Sequence, residues 1–194
     1  MDRLARQIGF LIEVDKLKTI FRRNFLADGS RAENDAEHSW YFAMAALILS
    51  ENAATQIDLV RVLEMALIHD VVEIDAGDTF IYDEEAKRDQ AEREARAAER
   101  LFGLLPEDQA AGMLELWREF EECATPEARY ARSIDRIAAL ILNLASHGKA
   151  WRHHGVSKAQ IMAVNERIAL GAPALWDHVR TLIEEAARRG DIDR

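Results

Sequence analysis

The chain has 194 residues, of which 49% are apolar and 31% charged. That composition supports one compact unit with a real core and excludes disorder over most of the length. The formal net charge of −10 excludes a protein whose main task is to grip a nucleic-acid polymer through a basic surface; a small phosphorylated substrate needs only one or two local cations.

Few glycines and prolines interrupt the chain, and no window shows sustained period-2 alternation. The whole chain, 1–194, therefore reads as an all-α, single-domain helical bundle. The N-terminal segment carries charges too often for a secretory leader. It predicts a first helix over Arg3–Phe21 with Leu4, Ile8, Leu11 and Ile12 on one stripe. A polar loop, Ala27–Asn34, precedes a helix from Ala36 to about Glu51, capped by Asn34 or Asp35. That helix contains the longest apolar run, Trp40–Leu49, about half the length of a membrane span. No membrane role is expected.

Asp58 caps a third helix that runs through Leu63 and Leu67 into His69-Asp70, and Gly77-Asp78-Thr79 breaks it. The stretch Asp83–Phe102 reads as a polar helix with Glu84/Arg88, Asp89/Arg93 and Glu92/Arg96 at i,i+4. It reads as a solvated face, with a lid over Asp78 as the second reading. Pro106 opens a helix to about Cys123. Cys123 is the single cysteine, so no intrachain disulfide forms and a reducing cytoplasm is the expected compartment. Thr125-Pro126 starts a helix to about Ser146; Ser157 and Gln160 form a capping box for one ending near Gly171; Pro173 starts the last. His153-His154 reads as a solvated turn, and the four tryptophans as core or interface anchors.

The chemistry concentrates in three places. His69, Asp70 and Glu73 project from one side of a helical turn at the end of an apolar helix. His38 lies near the start of another helix, and Asp135 sits inside the apolar helix Ile134–Leu144. A lone aspartate there is costly to bury. Two histidines and two aspartates from three helices can converge in a bundle core, and that set suits a divalent transition metal with mixed nitrogen and oxygen ligands. No HExxH helix, GxxxxGK[ST] loop or GxSxG elbow is present.

The order His38, His69-Asp70, Asp135 resembles the signature of the HD-domain metal-dependent phosphohydrolases. The segments SRAENDAEHSW (Ser30–Trp40), HDVVEIDAGDT (His69–Thr79) and SIDRIA (Ser133–Ala138) resemble the small all-helical branch that includes the bacterial 5′-deoxynucleotidases. The resemblance covers about 17–155, the expected metal-site core. It implies a phosphomonoester hydrolase, with a (deoxy)nucleoside 5′-monophosphate favoured as substrate. It also implies one divalent ion per chain: a transition metal such as Co, Mn, Zn, Ni or Fe, or else Mg. His38, His69, Asp70 and Asp135 would be the ligands, Glu73 and Asp78 catalytic acids beside the ion, and Arg22 the holder of the substrate phosphate. A homodimer is a further family expectation. Arg23 stands where the nucleotidases tend to have tryptophan. No histidine lies between Asp70 and Asp135, whereas dinuclear HD proteins resemble one another in having two there; a single tightly held metal is expected. The alternatives on the same site are a phosphodiester, pyrophosphate or nucleoside-triphosphate hydrolase, or a non-catalytic metal-dependent sensor.

Overall fold

The computed structural model describes residues 2–192. Helix α1 (Arg3–Val14) leads through a 3-10 turn, Asp15–Thr19, into a two-stranded antiparallel ribbon, β1 (Phe21–Phe25) and β2 (Ala32–Asn34). Then come α2 (Asp35–Ile48), α3 (Leu59–Ile68), a 3-10 turn over His69–Val72 and the short α4 (Glu73–Ala76). The rest is α5 (Gln90–Phe102), α6 (Glu107–Glu122), α7 (Pro126–Ala145), α8 (Lys149–His153), α9 (Lys158–Asn165) and α10 (Pro173–Arg189).

Helix α7 is the axis of the molecule. It packs against α2, α3 and α6 and buries Tyr130, Ile134, Ile137 and Leu140. Phe42 of α2, Met65 of α3 and Phe120 of α6 close the same core. The Tyr130 hydroxyl donates to the Ala46 carbonyl at 3.0 Å, so its burial leaves no orphaned group. The helix starts follow their sequence signals. Asp58 accepts from Val60 N at 3.0 Å, Thr125 accepts from Ala128 N at 3.2 Å, and Ser157 with Gln160 forms the capping box.

Four expectations need correction. The first helix stops at Val14 rather than Phe21, because the 3-10 turn swings Leu17 into the core and the chain then extends. The ribbon was not expected. In β1 the inward positions are Arg22 and Asn24, while Phe21 and Arg23 face out, so the polarity alternates opposite to that of an ordinary half-buried strand. Helix α5 starts at Gln90, not Asp83. The Asp83 carboxylate accepts from Glu85 N and Ala86 N and holds a turn there. Arg93 ties that segment down through Thr79 Oγ1 and the Ala86 carbonyl. The expected Asp89/Arg93 and Glu92/Arg96 pairs form, whereas Glu84 pairs with Lys87 instead of Arg88.

The stripe of Leu4, Ile8, Leu11 and Ile12 faces solvent. Trp117 and Trp151 are core residues, Trp176 packs against the core, and Trp40 is 64% exposed. His153 and His154 stack edge-on with each other, with Phe25 and Phe80 flanking them.

Candidate metal centre and phosphate site

Four local structures converge on one point. α2 delivers His38, the 3-10 turn after α3 delivers His69 and Asp70, α7 delivers Asp135 and β1 delivers Arg22. The turn matters because His69–Val72 is tighter than the α-helix expected there; His69, Asp70 and Glu73 all end up buried.

One donor atom from each of His38, His69 and Asp135 lies within 4.8 Å of the others. His38 Nε2 is 2.9 Å from Asp135 Oδ1, and His69 Nε2 is 3.1 Å from Asp70 Oδ1. Asp70 Oδ2 is 4.0 Å from His38 Nε2 and accepts from Arg22 Nη1 at 2.7 Å. His69 Nδ1 lies 3.1 Å from the Ala66 carbonyl. A carbonyl can only accept, so Nδ1 carries the hydrogen and Nε2 presents its lone pair. That Nε2 is buried without a hydrogen-bond partner. An orphaned imidazole nitrogen facing a second histidine and two carboxylates is what a divalent ion with nitrogen and oxygen ligands requires, so these residues fit one.

A second group adjoins the first. Oxygens of Asp35, Glu73 and Asp78 also lie within 4.8 Å of one another. Arg22 stands between the groups, with Nη1 3.7 Å from Asp35 Oδ1 and Nε 3.9 Å from Glu33 Oε2. His69, Asp70 and Asp135 of the first group and Glu73 and Asp78 of the second line a cleft of about 550 Å³, whereas His38 and Asp35 are fully buried. A smaller pocket of about 80 Å³ beside it is lined by Arg22, Arg23 and Trp151 among others.

The electrostatics split the carboxylates. Burial opposes the charge on Asp70, but His69 and Arg22 hold it down at about 2. Burial likewise opposes charge on Asp135, and the His38 hydrogen bond and charge overcome it, holding the group well below the usual range. Burial and the charge of Asp70 push Asp35 up to about 7 and raise Glu73 well above an ordinary glutamate. Burial raises Asp78 as well. Burial and Arg22 work against a charged His38, yet Asp135 and Glu33 push it up to about 9. Burial opposes the Arg22 charge too, but Asp70, Glu73, Asp78 and Asp135 keep the guanidinium protonated.

Arg22, His38, His69, Asp70, Glu73, Asp78 and Asp135 thus all lie in this region. Two neighbours escaped notice, Glu33 and Asp35, both buried. Asp35 was read as an alternative cap, but Asn34 takes that role in a capping box with Glu37. The available signal was the surplus: one helix start needs one cap, and an acid three residues before His38 had no other task.

The HD domain family model matches residues 14–176. The chain belongs to the HD domain family. A solved structure described as a predicted metal-dependent phosphohydrolase from Magnetospirillum magnetotacticum MS-1 is 49% identical, superposes with a TM-score of 0.94, and is covered over 96% of its length by 99% of this chain. An HD-domain phosphohydrolase from Listeria innocua, 17% identical, shares the fold at a TM-score of 0.62 over 90% of this chain and 82% of its own. Among curated relatives, a Homo sapiens 5′-deoxynucleotidase is 28% identical over 135 residues, 69% of this chain and 65% of that protein. The chain therefore spans just under two thirds of that relative's length. A Dictyostelium discoideum 5′-deoxynucleotidase is 26% identical over 144 residues, 71% of this chain and 76% of its own. The HD phosphohydrolase domain implies a divalent metal, and the histidine and aspartate groups described above are able to bind one. Among the described residues, no helix is long and apolar enough to cross a membrane.

Proposed function

We propose that this HD protein hydrolyses phosphate monoesters, with (deoxy)nucleoside 5′-monophosphates as the substrate class. The observation that carries the reading is the convergence of His38, His69 and Asp135 within 4.8 Å, with the Arg22 guanidinium beside them at the cleft. The relatives named as 5′-deoxynucleotidases supply the substrate class.

His38, His69, Asp70 and Asp135 would hold one divalent ion. Such an ion, when bound, lowers the pKa of water and polarises a phosphoryl oxygen. Arg22 exchanges its contact with Asp70 for the substrate phosphate, where a planar guanidinium binds two equatorial oxygens at once. Glu73 orients the attacking water and, where a cation held by Asp70 offsets the charge that raises it, would take its proton. Asp78, whose carboxyl burial raises above the ordinary aspartate, protonates the departing 5′ oxygen. The water oxygen bonds to phosphorus, the bond from phosphorus to O5′ breaks, and the products are a nucleoside and orthophosphate. The division between low carboxylates, Asp70 and Asp135, and raised ones, Glu73 and Asp78, matches a division between metal ligands and proton carriers.

Cys123 as the single cysteine supports a reducing, cytoplasmic setting. The solvent-facing apolar stripe of α1 supports a homodimer. Arg23 lines the smaller pocket and gives it a cationic wall facing the nucleoside.

The test is a panel of ribo- and deoxynucleoside mono-, di- and triphosphates, assayed on metal-stripped protein with Co, Mn, Zn, Ni, Fe or Mg restored singly. The expected products are nucleoside and orthophosphate from monophosphates, with turnover abolished by chelator. Release of pyrophosphate or triphosphate would replace the substrate class, and no turnover with any ion would overturn the enzyme reading.

A further inference from the structure

We propose that the cleft holds a second phosphate group, apart from the one assigned to Arg22, on the guanidiniums of Arg136 and Arg167. The inference rests on the reading of the cleft as a phosphate-ester site and adds two residues that the mechanism above does not use.

Four arginines line the cleft: Arg22, Arg132, Arg136 and Arg167. Two of them have carboxylate partners. Arg22 donates to Asp70 at 2.7 Å. Arg132 makes a two-point contact with the Glu121 carboxylate, at 3.1 and 3.4 Å, and its guanidinium lies over the Phe120 ring. Lys87 also lines the cleft and is met by Glu84 at 2.8 Å. Among the described residues, no carboxylate pairs with Arg136 or Arg167.

Local structure holds Arg136 in place without neutralising it. The residue is half-buried on α7, directly after Asp135. Its Nη1 donates to the Val164 carbonyl of α9 at 3.1 Å. That contact uses one of the five donors of a guanidinium and supplies no counter-charge. Asp135, its neighbour in sequence, is engaged by His38 at 2.9 Å. Arg132 lies one turn earlier on the same helix, a spacing at which like charges repel. Arg167 comes from the 3-10 turn Glu166–Leu170, which packs against α7. Burial opposes the charge on Arg136, and Arg132 and Arg167 oppose it as well, with Asp135 favouring it. A guanidinium does not shed its proton at ordinary pH, so this wall of the cleft calls for an anion.

Spare N–H donors on two guanidiniums suit phosphate oxygens, which a planar fork can bind in pairs. Two sources share that chemistry: the orthophosphate released by hydrolysis, and a further phosphate carried by the substrate. Arg136 lines the smaller pocket as well as the cleft, so a ligand passing between them meets it. The formal net charge of −10 repels a phosphate dianion at long range, and unpaired cations inside a cleft reverse that repulsion locally.

The test is equilibrium dialysis of radiolabelled orthophosphate against protein that retains its divalent ion. The wild type is expected to bind two phosphates per chain at millimolar phosphate. Arg22→Ala should keep one of them. Arg136→Gln should weaken the other at least tenfold, with ion content and helical circular dichroism unchanged. Arg167→Gln, on a different element from the proposed ion ligands, is the second variant and should weaken that same site. A wild type that binds a single phosphate overturns the proposal, and so does undiminished binding of two by folded Arg136→Gln and Arg167→Gln. Turnover then identifies the source. At least tenfold higher kcat/KM for a nucleoside 3′,5′-bisphosphate than for the 5′-monophosphate, lost in Arg136→Gln, assigns the site to a substrate phosphate. Equal kcat/KM, with inhibition by orthophosphate weakened at least tenfold in the variant, assigns it to the free product. Two phosphates bound without hydrolysis would remove the proposed function and leave this site standing, and hydrolysis with one bound phosphate would do the reverse.

Discussion

Glu73 sits one residue past a 3-10 turn that carries His69 and Asp70, and it is buried with one oxygen unpartnered. Because it belongs to the carboxylate group and not to the histidine group, its charge and its geometry can be separated. Glu73→Gln keeps the size and one accepting oxygen but cannot take up a proton. It should keep the tightly bound ion and the helical circular dichroism while kcat falls by roughly 10²-fold or more, the usual range for a positioned acid–base group. Loss of the tight ion together with activity would make Glu73 a ligand of the histidine site; near-normal kcat would make it structural. Arg22 tests the phosphate contact. Arg22→Ala should raise KM and lower kcat/KM with ion content unchanged, and Arg22→Lys should recover only part, since an ammonium lacks the planar fork. Wild-type kinetics in Arg22→Ala would remove the contact.

At the level of elements, the helices with strong ends were legible: α3, α7 and α9 each begin on a side chain that accepts from a free amide of the first turn, Asp58, Thr125 or Ser157. What escaped was structure whose inward face is polar. β1 points Arg22 and Asn24 inward because the site, not the core, lies beneath it. The residues proposed as metal ligands stood out for a related reason: His38 and Asp135 interrupt apolar helix faces, and polar groups there need an explanation. Asp35 sits at a helix start, where an acid needs none. Helix α5 carries a further anomaly in Glu94, which is buried with Gln90 Nε2 donating to it at 2.7 Å. Burial pushes Glu94 up to about 7. An acid with a folded pKa above its unfolded value loses protons more readily when unfolded, so stability falls as pH rises between the two values and is then flat. Glu94→Gln should therefore match the wild type near pH 4 and be more stable above about pH 7, by roughly 1–3 kcal/mol in denaturant titration. An equal pH profile for both proteins would show that Glu94 titrates normally.

For the molecule as a whole, the exposed surface is unusual in where its apolar residues fall. Leu4, Ile8, Leu11 and Ile12 on α1 repeat the spacing of Trp40, Met44, Leu47 and Ile48 on α2, and all eight are solvent-facing. Stripes of this kind mark association faces more often than free surface. Sedimentation velocity should give a dimer for the wild type and a shift towards monomer for Trp40→Glu; a wild-type monomer at micromolar concentration would end the dimer proposal. The residues proposed to hold the tight ion come from distant parts of the chain, His38 and Asp135 being 97 positions apart. No local fragment can assemble that set, so the ion distinguishes the folded chain from the unfolded one and acts as a ligand of folding. By mass action, free ion at a hundred times its dissociation constant adds about 2.7 kcal/mol to the folded state. The melting temperature then becomes a reading of metal supply: it should climb with each tenfold increase in free ion and drop on chelation. Starved of metal, a cell would hold less of this protein as well as less of its activity.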